Sequence, residues 1–102
     1  MLIRTVRMTF QKEKVSDFLK LFTQSKNKIR NFPGCQCLEL HIDWEKDNIF
    51  STYSVWEDEG ALDNYRNSDL FKTIWSETKL LFDKHPVAIS SRLVEKVDRD
   101  QI

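Results

Sequence analysis

The spacing of hydrophobic positions along the chain changes between the alternation typical of strands and the repeat of three to four residues typical of helices. Alternating or continuous apolar residues predict strands at 2–10, 35–44, 49–56 and 87–97. One helix is predicted at 12–31, and a second follows Asp58, breaks at Asn67-Ser68-Asp69 and ends at 83–86. The order β-α-β-β-α-β predicts an α+β, ferredoxin-like sandwich, with a four-stranded antiparallel sheet that carries its helices on one face.

The predicted central hairpin determines which side chains share a face of the sheet. If it is centred on Lys46-Asp47, His41 lies opposite Thr52 and Glu39 opposite Ser54, although a one-residue change in the loop would exchange the faces. Neither face is then fully polar, whereas an antiparallel sheet face that meets water normally is. We therefore expect helices on one face and a second copy of the chain on the other, which gives a homodimer through the sheet face.

The composition is that of one small globular domain with balanced charge. Among 102 residues, 16 basic and 16 acidic side chains are spread along the chain, so we expect neither nucleic acid nor an anionic membrane as a partner. No apolar run approaches the roughly 20 residues that span a bilayer, and no signal peptide is evident, so we expect a cytoplasmic protein. Residues 1–97 are the expected domain and residues 98–102 a C-terminal tail.

The stretch from Ile49 to Trp75 joins a strand that ends on a tryptophan to an acidic corner and an interrupted helix. Asp58 and Ser68 are suited to cap the two helical segments. Aromatic residues occur on both sides of the break between the segments. We expect this stretch to form one wall of a pocket between the sheet and the helices.

Several short motifs in this arrangement resemble the antibiotic biosynthesis monooxygenase domain, a dimeric α+β barrel family. They are FPGC at 32–35, WE at 56–57, ALDNY at 61–65 and SDLF at 68–71, and the resemblance covers about residues 2–95. It implies a homodimer whose two sheets pack face to face, with a pocket in each subunit between sheet and helices. It also implies a range of activities. Some members oxidise polycyclic phenols or quinols with oxygen and without metal or flavin, others isomerise small phosphorylated signals, and one branch cleaves haem.

The chain departs from the family at positions that carry polar groups in many members. Ser54 stands where many members have a glutamate, and Tyr65 where many have a histidine. The positions that the haem-cleaving branch uses hold Val6, Tyr65 and Trp75 here, so the axial histidine of that branch is missing. Haem degradation is therefore not expected from the resemblance.

Three side chains are the candidate catalytic groups for a pocket that works without a cofactor. His41 is the candidate general base, since an ordinary histidine pKa of about 6.5 suits proton abstraction from a phenol. Glu39 on the same strand face would orient it, and Arg4 would hold a developing phenolate. The candidate substrate-binding residues are Val6, Ser54, Trp56, Tyr65, Phe71 and Trp75.

Each of these residues also has a purely structural interpretation. A strand histidine on a mixed face is more often a hydrogen-bonded structural residue, and Trp56 and Trp75 could be core. Glu39 could pair with a basic residue across a dimer, and Arg4 could reach solvent from a strand end. Neither histidine has a compact set of possible metal ligands around it, and the chain has no glycine-rich phosphate loop, so no metal or cofactor is expected.

Three functions are consistent with these observations. The first is a cofactor-independent monooxygenase that acts on a small aromatic phenol or quinol. The second is another cofactor-free enzyme on the same scaffold, such as an isomerase or an enzyme that removes reactive metabolites. The third is a non-catalytic dimeric module that binds a small ligand.

Overall fold

The computed structural model describes residues 1–101 and confirms the predicted order of elements. The strands are β1 (Leu2–Thr9), β2 (Cys35–Ile42), β3 (Ile49–Trp56) and β4 (Val87–Ser91). The helices are α1 (Val15–Arg30), α2 (Glu59–Arg66) and α3 (Asp69–Thr78). Short 3₁₀ helices at Lys12–Lys14, Lys79–Leu81 and Arg99–Gln101 precede α1, follow α3 and lie within the predicted tail. Ile102, the last residue of that tail, lies outside the described residues.

All neighbouring strands are antiparallel, in the order β2-β3-β1-β4, and the three helices cover one face of the sheet. This is the ferredoxin-like α+β sandwich that the pattern of elements predicts. No helix in the described part of the chain is long and apolar enough to cross a bilayer.

The core between sheet and helices has two parts. One packs Phe10, Phe18 and Phe50 around Met8, with Phe10 and Phe18 stacked at 4.1 Å between ring centroids. The other groups Trp56, Tyr65, Leu62, Ile29 and Cys35 near the start of α2. Cys35 is buried and Cys37 half-buried, and both are free thiols.

The turn from α1 into β2 depends on Gly34, which has a φ of 88°. Its carbonyl accepts a hydrogen bond of 2.8 Å from Glu57 N, and this bond ties the turn to the end of β3. A Cβ at this position would overlap the Cβ of Ala61 in α2. Glycine therefore permits both the left-handed backbone and the close approach of α2 to the turn.

The register of the β2–β3 hairpin differs from the prediction by one residue, so the predicted pairing is wrong. His41 pairs with Ser51 and Glu39 with Tyr53. The reason is the turn at Asp43, whose Oδ2 accepts hydrogen bonds from Glu45 N at 3.2 Å and Lys46 N at 3.1 Å. Asp43 N then bonds to the carbonyl of Ile49, so the loop contains Trp44 to Asn48 and is centred on Lys46 alone.

The last strand is shorter than the predicted 87–97. Strand β4 ends at Ser91, which pairs with Ile3 near the beginning of β1. Beyond that pair β1 offers only Leu2, so the following residues have almost no strand to pair with. They continue without regular structure and leave Leu93 and Val94 exposed.

Candidate functional site

A cavity of about 300 Å³ lies between the helix-covered face of the sheet and the helices. It is at the lower end of the volumes typical of small-ligand sites. Seven of the nine predicted site residues line it: Arg4, Val6, Ser54, Trp56, Tyr65, Phe71 and Trp75. The lining also includes Met8, Leu38, Ile74 and Ala88, which give it a mostly apolar character.

Aromatic side chains form a continuous wall on one side of this cavity. Trp56 and Tyr65 are stacked, with ring centroids 4.9 Å apart and an interplanar angle of 24°. Phe71 meets Tyr65 edge to face at 5.2 Å and stacks on Trp75 at 5.8 Å and 11°. Offset stacks and edge contacts are the preferred geometries of aromatic pairs, so the wall is held in place by its own packing. We call these four residues the aromatic wall.

The break between α2 and α3 orients two members of the aromatic wall. Ser68 Oγ donates a hydrogen bond of 2.6 Å to the carbonyl of Tyr65 and accepts one of 3.1 Å from Phe71 N. A serine at this position therefore ends one helix and caps the next. Asp58 caps the start of α2 in the same way, through a bond of 2.8 Å from Ala61 N. The two caps were predicted, and they position the wall.

The polar groups of Trp56 and Ser54 are used within the protein. Trp56 Nε1 donates a hydrogen bond of 3.0 Å to Ser54 Oγ, which donates in turn to the carbonyl of Arg4 at 3.3 Å. Trp56 is almost fully buried, so its indole N–H needs such a partner. These two residues therefore give the cavity its shape, and their hydrogen bonds are already made.

Arg4 is half-buried and extends from β1 into the cavity, away from the open face of the sheet. Its Nη1 donates a hydrogen bond of 2.9 Å to Ser90 Oγ on the neighbouring strand β4. Burial, followed by the nearby positive charge of Arg66, lowers the pKa of the Arg4 guanidinium from its ordinary value. It remains a cation at neutral pH because arginine titrates far above 7.

Tyr65 is only 9% exposed, and burial raises the pKa of its phenol well above the ordinary value. Its hydroxyl has no hydrogen-bond partner among the described residues, and the hydroxyl oxygen is not fully buried. The phenol therefore stays protonated, and its O–H remains available to a molecule in the cavity.

His41 and Glu39 lie on the opposite face of the sheet and do not reach the cavity. Because the register differs from the predicted one, both share a face with Tyr53, while Ser54 and Thr52 face the helices. His41 Nε2 and Glu39 Oε1 are 2.8 Å apart, and both side chains are more than half exposed. The His41 ring also lies nearly parallel to Tyr53 at 6.3 Å. These contacts agree with the structural interpretation of a hydrogen-bonded strand histidine.

The described cavity lining contains two arginine cations but no group that ordinarily titrates near neutral pH. Among the described residues that line it there is no aspartate, glutamate, histidine or cysteine. No three such side chains cluster anywhere in the described chain in a way that could hold a metal ion. The lining can hold an anion and flat apolar rings, but it offers no evident general base.

Arg66 also lines the cavity, although it is not among the predicted site residues. This residue ends α2 and is exposed, so it lies at the rim. In sequence it is indistinguishable from an ordinary basic residue in the last turn of a helix. Its position next to Tyr65, directly before the predicted helix break, is the signal that could have revealed it.

Comparisons with known proteins agree with the fold. A family model described as antibiotic biosynthesis monooxygenase matches residues 1–75. A crystal structure of an antibiotic biosynthesis monooxygenase is 20% identical, with a TM-score of 0.87 over 93% of this chain and 100% of that one. A conserved protein from Methanosarcina mazei Go1 is 28% identical, with a TM-score of 0.85 over 90% of this chain and 92% of that one. Rv0793 from Mycobacterium tuberculosis is 13% identical, with a TM-score of 0.86 over 95% and 98%. No curated protein matches the sequence.

Proposed function

The chain belongs to the antibiotic biosynthesis monooxygenase family, and on that premise we propose that its cavity binds a small aromatic phenol or quinol. In this proposal the bound molecule is oxidised by dioxygen without a metal or an organic cofactor. A substrate of this kind would place its rings against the aromatic wall and its oxygen near Arg4.

The observation that carries this proposal is the aromatic wall itself. Tyr65, Phe71 and Trp75 present flat faces and edges to one narrow, mostly apolar space. Aromatic ligands gain both buried apolar area and ring contacts in such a space. The polar groups of Trp56 and Ser54 are already paired, so the wall would select for shape and apolar surface.

The chemistry requires little from the protein beyond stabilisation of an anion. An ionised substrate transfers one electron to dioxygen, and the resulting radical pair combines at carbon to form a hydroperoxide. Loss of water leaves a carbonyl, so that a CH₂ group and O₂ become C=O and H₂O with no external reductant. Arg4 would favour the ionised substrate, and the surrounding apolar residues would strengthen that interaction by excluding water.

Of the three predicted catalytic residues, we assign a role at the reacting atoms only to Arg4. His41 and Glu39 face away from the cavity within this chain. The proton released by the substrate would leave through the rim, where the exposed Arg66 lies. Nearby cations lower the pKa of a bound phenol, so the phenol can ionise without a strong base in the cavity.

Oxygen uptake tests this proposal. Chelator-treated protein should accelerate oxygen consumption with anthrone, a phenol-forming compound whose CH₂ group can become a carbonyl, above the rate without protein. Trp75→Ala, which removes part of the wall, should reduce the acceleration. Trp44→Ala is the matched control, because Trp44 is 97% exposed and lies outside the cavity. Equal uptake with and without protein, across a panel of phenols and quinols, would count against the enzyme.

A second candidate function is a ligand-binding module without catalysis. The absence of a carboxylate or imidazole from the described cavity lining favours it, because many oxidations of phenols need a base. Calorimetry that detects binding of aromatic compounds, together with no oxidation of those compounds by the protein, would favour this function over the first.

We also propose that two copies of the chain pair through the open face of the sheet. Val87 and Ile89 are more than half exposed there, and Ile3 and Val55 add apolar surface to the same face. Sedimentation at micromolar concentration should give a dimer, and Ile89→Lys should shift it towards monomer. Leu80→Lys is the control, since Leu80 is also apolar and more than half exposed but lies outside the sheet. A wild-type monomer would contradict the pairing.

A further inference from the structure

The charges around the cavity all have one sign. Arg4 and Arg66 are the charged residues of the described lining, and no carboxylate is among its members. An apolar space bordered by two guanidinium groups is an unfavourable environment for a further cation. A bound anion, in contrast, would be attracted by both charges.

Neither guanidinium is neutralised by the protein. The hydrogen bond of Arg4 goes to the neutral hydroxyl of Ser90. Arg66 forms no ion pair within the described chain, although Asp63 and Asp69 stand three residues before and after it. The two arginines are also close enough for the charge of Arg66 to disfavour the charged form of Arg4. Arginine donates five N–H groups in a planar fork, so most donors of this pair remain unused.

Tyr65 adds an independent observation. Its side chain is nine-tenths buried, lines the same cavity and has a hydroxyl without a hydrogen-bond partner in the described chain. No buried polar side-chain atom of the described residues lacks a partner, so this unpaired hydroxyl oxygen keeps some exposure and is accessible to a bound molecule. Because the phenol stays protonated, it can donate a hydrogen bond to a negatively charged oxygen.

From these groups we infer that the cavity binds its aromatic ligand as an anion, either a carboxylate or an ionised phenol. The charged oxygen lies between Arg4 and Arg66, within reach of the Tyr65 hydroxyl, and the rings lie against Phe71 and Trp75. This inference rests on the proposed aromatic-binding function and specifies the class of its ligand. A ligand that is already ionised in solution would need no base in the cavity, whereas a neutral phenol would release its proton through the rim.

Calorimetric titration with matched probes tests the inference. The probes are 2-naphthoate and 2-naphthamide, which share their rings and differ in charge, together with 2,4-dinitro-1-naphtholate as an ionised phenol. The wild-type protein should bind at least one anion about tenfold more tightly than the amide, as expected for hydrogen bonds to charged groups.

Substitutions locate the origin of that preference. Arg4→Gln and Arg66→Gln should each remove most of it, while Arg4→Lys keeps part of it. Arg7→Gln is the matched control, since Arg7 lies on the same strand but on the opposite face. Circular dichroism verifies folding, and Arg66→Gln changes only an exposed helix end.

The outcomes separate the two proposals. If naphthamide binds as tightly as both anions, or if the preference survives both arginine changes, the inference is wrong and the aromatic-binding function stands. If none of the probes binds, the aromatic-binding function fails, and the inference fails with it.

Discussion

Trp56 Nε1 donates a hydrogen bond of 3.0 Å to Ser54 Oγ across one face of β3, between two residues that are both buried. The resemblance to the family implies a glutamate at the position of Ser54 in many members. In this chain the Ser54 hydroxyl accepts the hydrogen bond of the indole N–H and donates one to the carbonyl of Arg4. The serine therefore supports the wall of the cavity in this chain.

Ser54→Ala should destabilise the fold by about 1–3 kcal/mol, because it leaves the buried indole N–H of Trp56 unpaired. Urea unfolding followed by circular dichroism measures the difference. Ser51→Ala is the control, since Ser51 lies on the same strand and faces the other side of the sheet. Equal effects of the two substitutions would show that the indole bond contributes nothing to stability.

Tyr65→Phe should change how stability depends on alkaline pH. Burial raises the folded-state pKa of the Tyr65 phenol above its ordinary value near 10. Above pH 10 the unfolded chain loses this proton while the folded chain keeps it, so the folded state becomes less stable as pH rises. Wild type should therefore lose stability relative to Tyr65→Phe, by up to about 1.4 kcal/mol per pH unit. Thermal or urea unfolding of both proteins between pH 8 and 11 measures it, and parallel curves would contradict the burial of this phenol.

The two glycines should respond differently to alanine. Gly34→Ala forces a side chain into a left-handed backbone and onto Ala61, so it should cost more than about 1 kcal/mol of unfolding free energy. Gly60→Ala, inside α2, meets only Asp58 Oδ1 at ordinary contact distance and should be neutral or stabilising. Comparable losses at both positions would argue against the close approach of α2 to the turn.

His41→Ala should leave the cavity unchanged. Its side chain is exposed on the opposite face and pairs with Glu39, so aromatic binding and any oxygen uptake should stay within about twofold of wild type. The same assays on Arg4→Gln provide the contrast, since Arg4 lines the cavity. Loss of turnover in His41→Ala at normal stability would restore His41 as a catalytic candidate.

The sequence predicted the elements and the aromatic wall because both depend on local patterns. Helical spacing around a capped break at Ser68 is enough to bring Tyr65 and Phe71 to one side of the helices. The sheet face on which His41 lies could not be predicted, because the register of the hairpin depends on how the Asp43 carboxylate closes its turn. Arg66 could not be predicted for a related reason: its role depends on which side of α2 meets the cavity and on the nearby charge of Arg4.

The central claim is that an aromatic anion lies in the cavity between Arg4, Arg66 and the aromatic wall. Intermolecular nuclear Overhauser effects between 2-naphthoate and the protein test it most directly. We expect cross-peaks from the naphthyl protons to the side chains of Phe71 and Trp75. Cross-peaks to Tyr53 and His41 on the open face instead, or no binding at all, would contradict it.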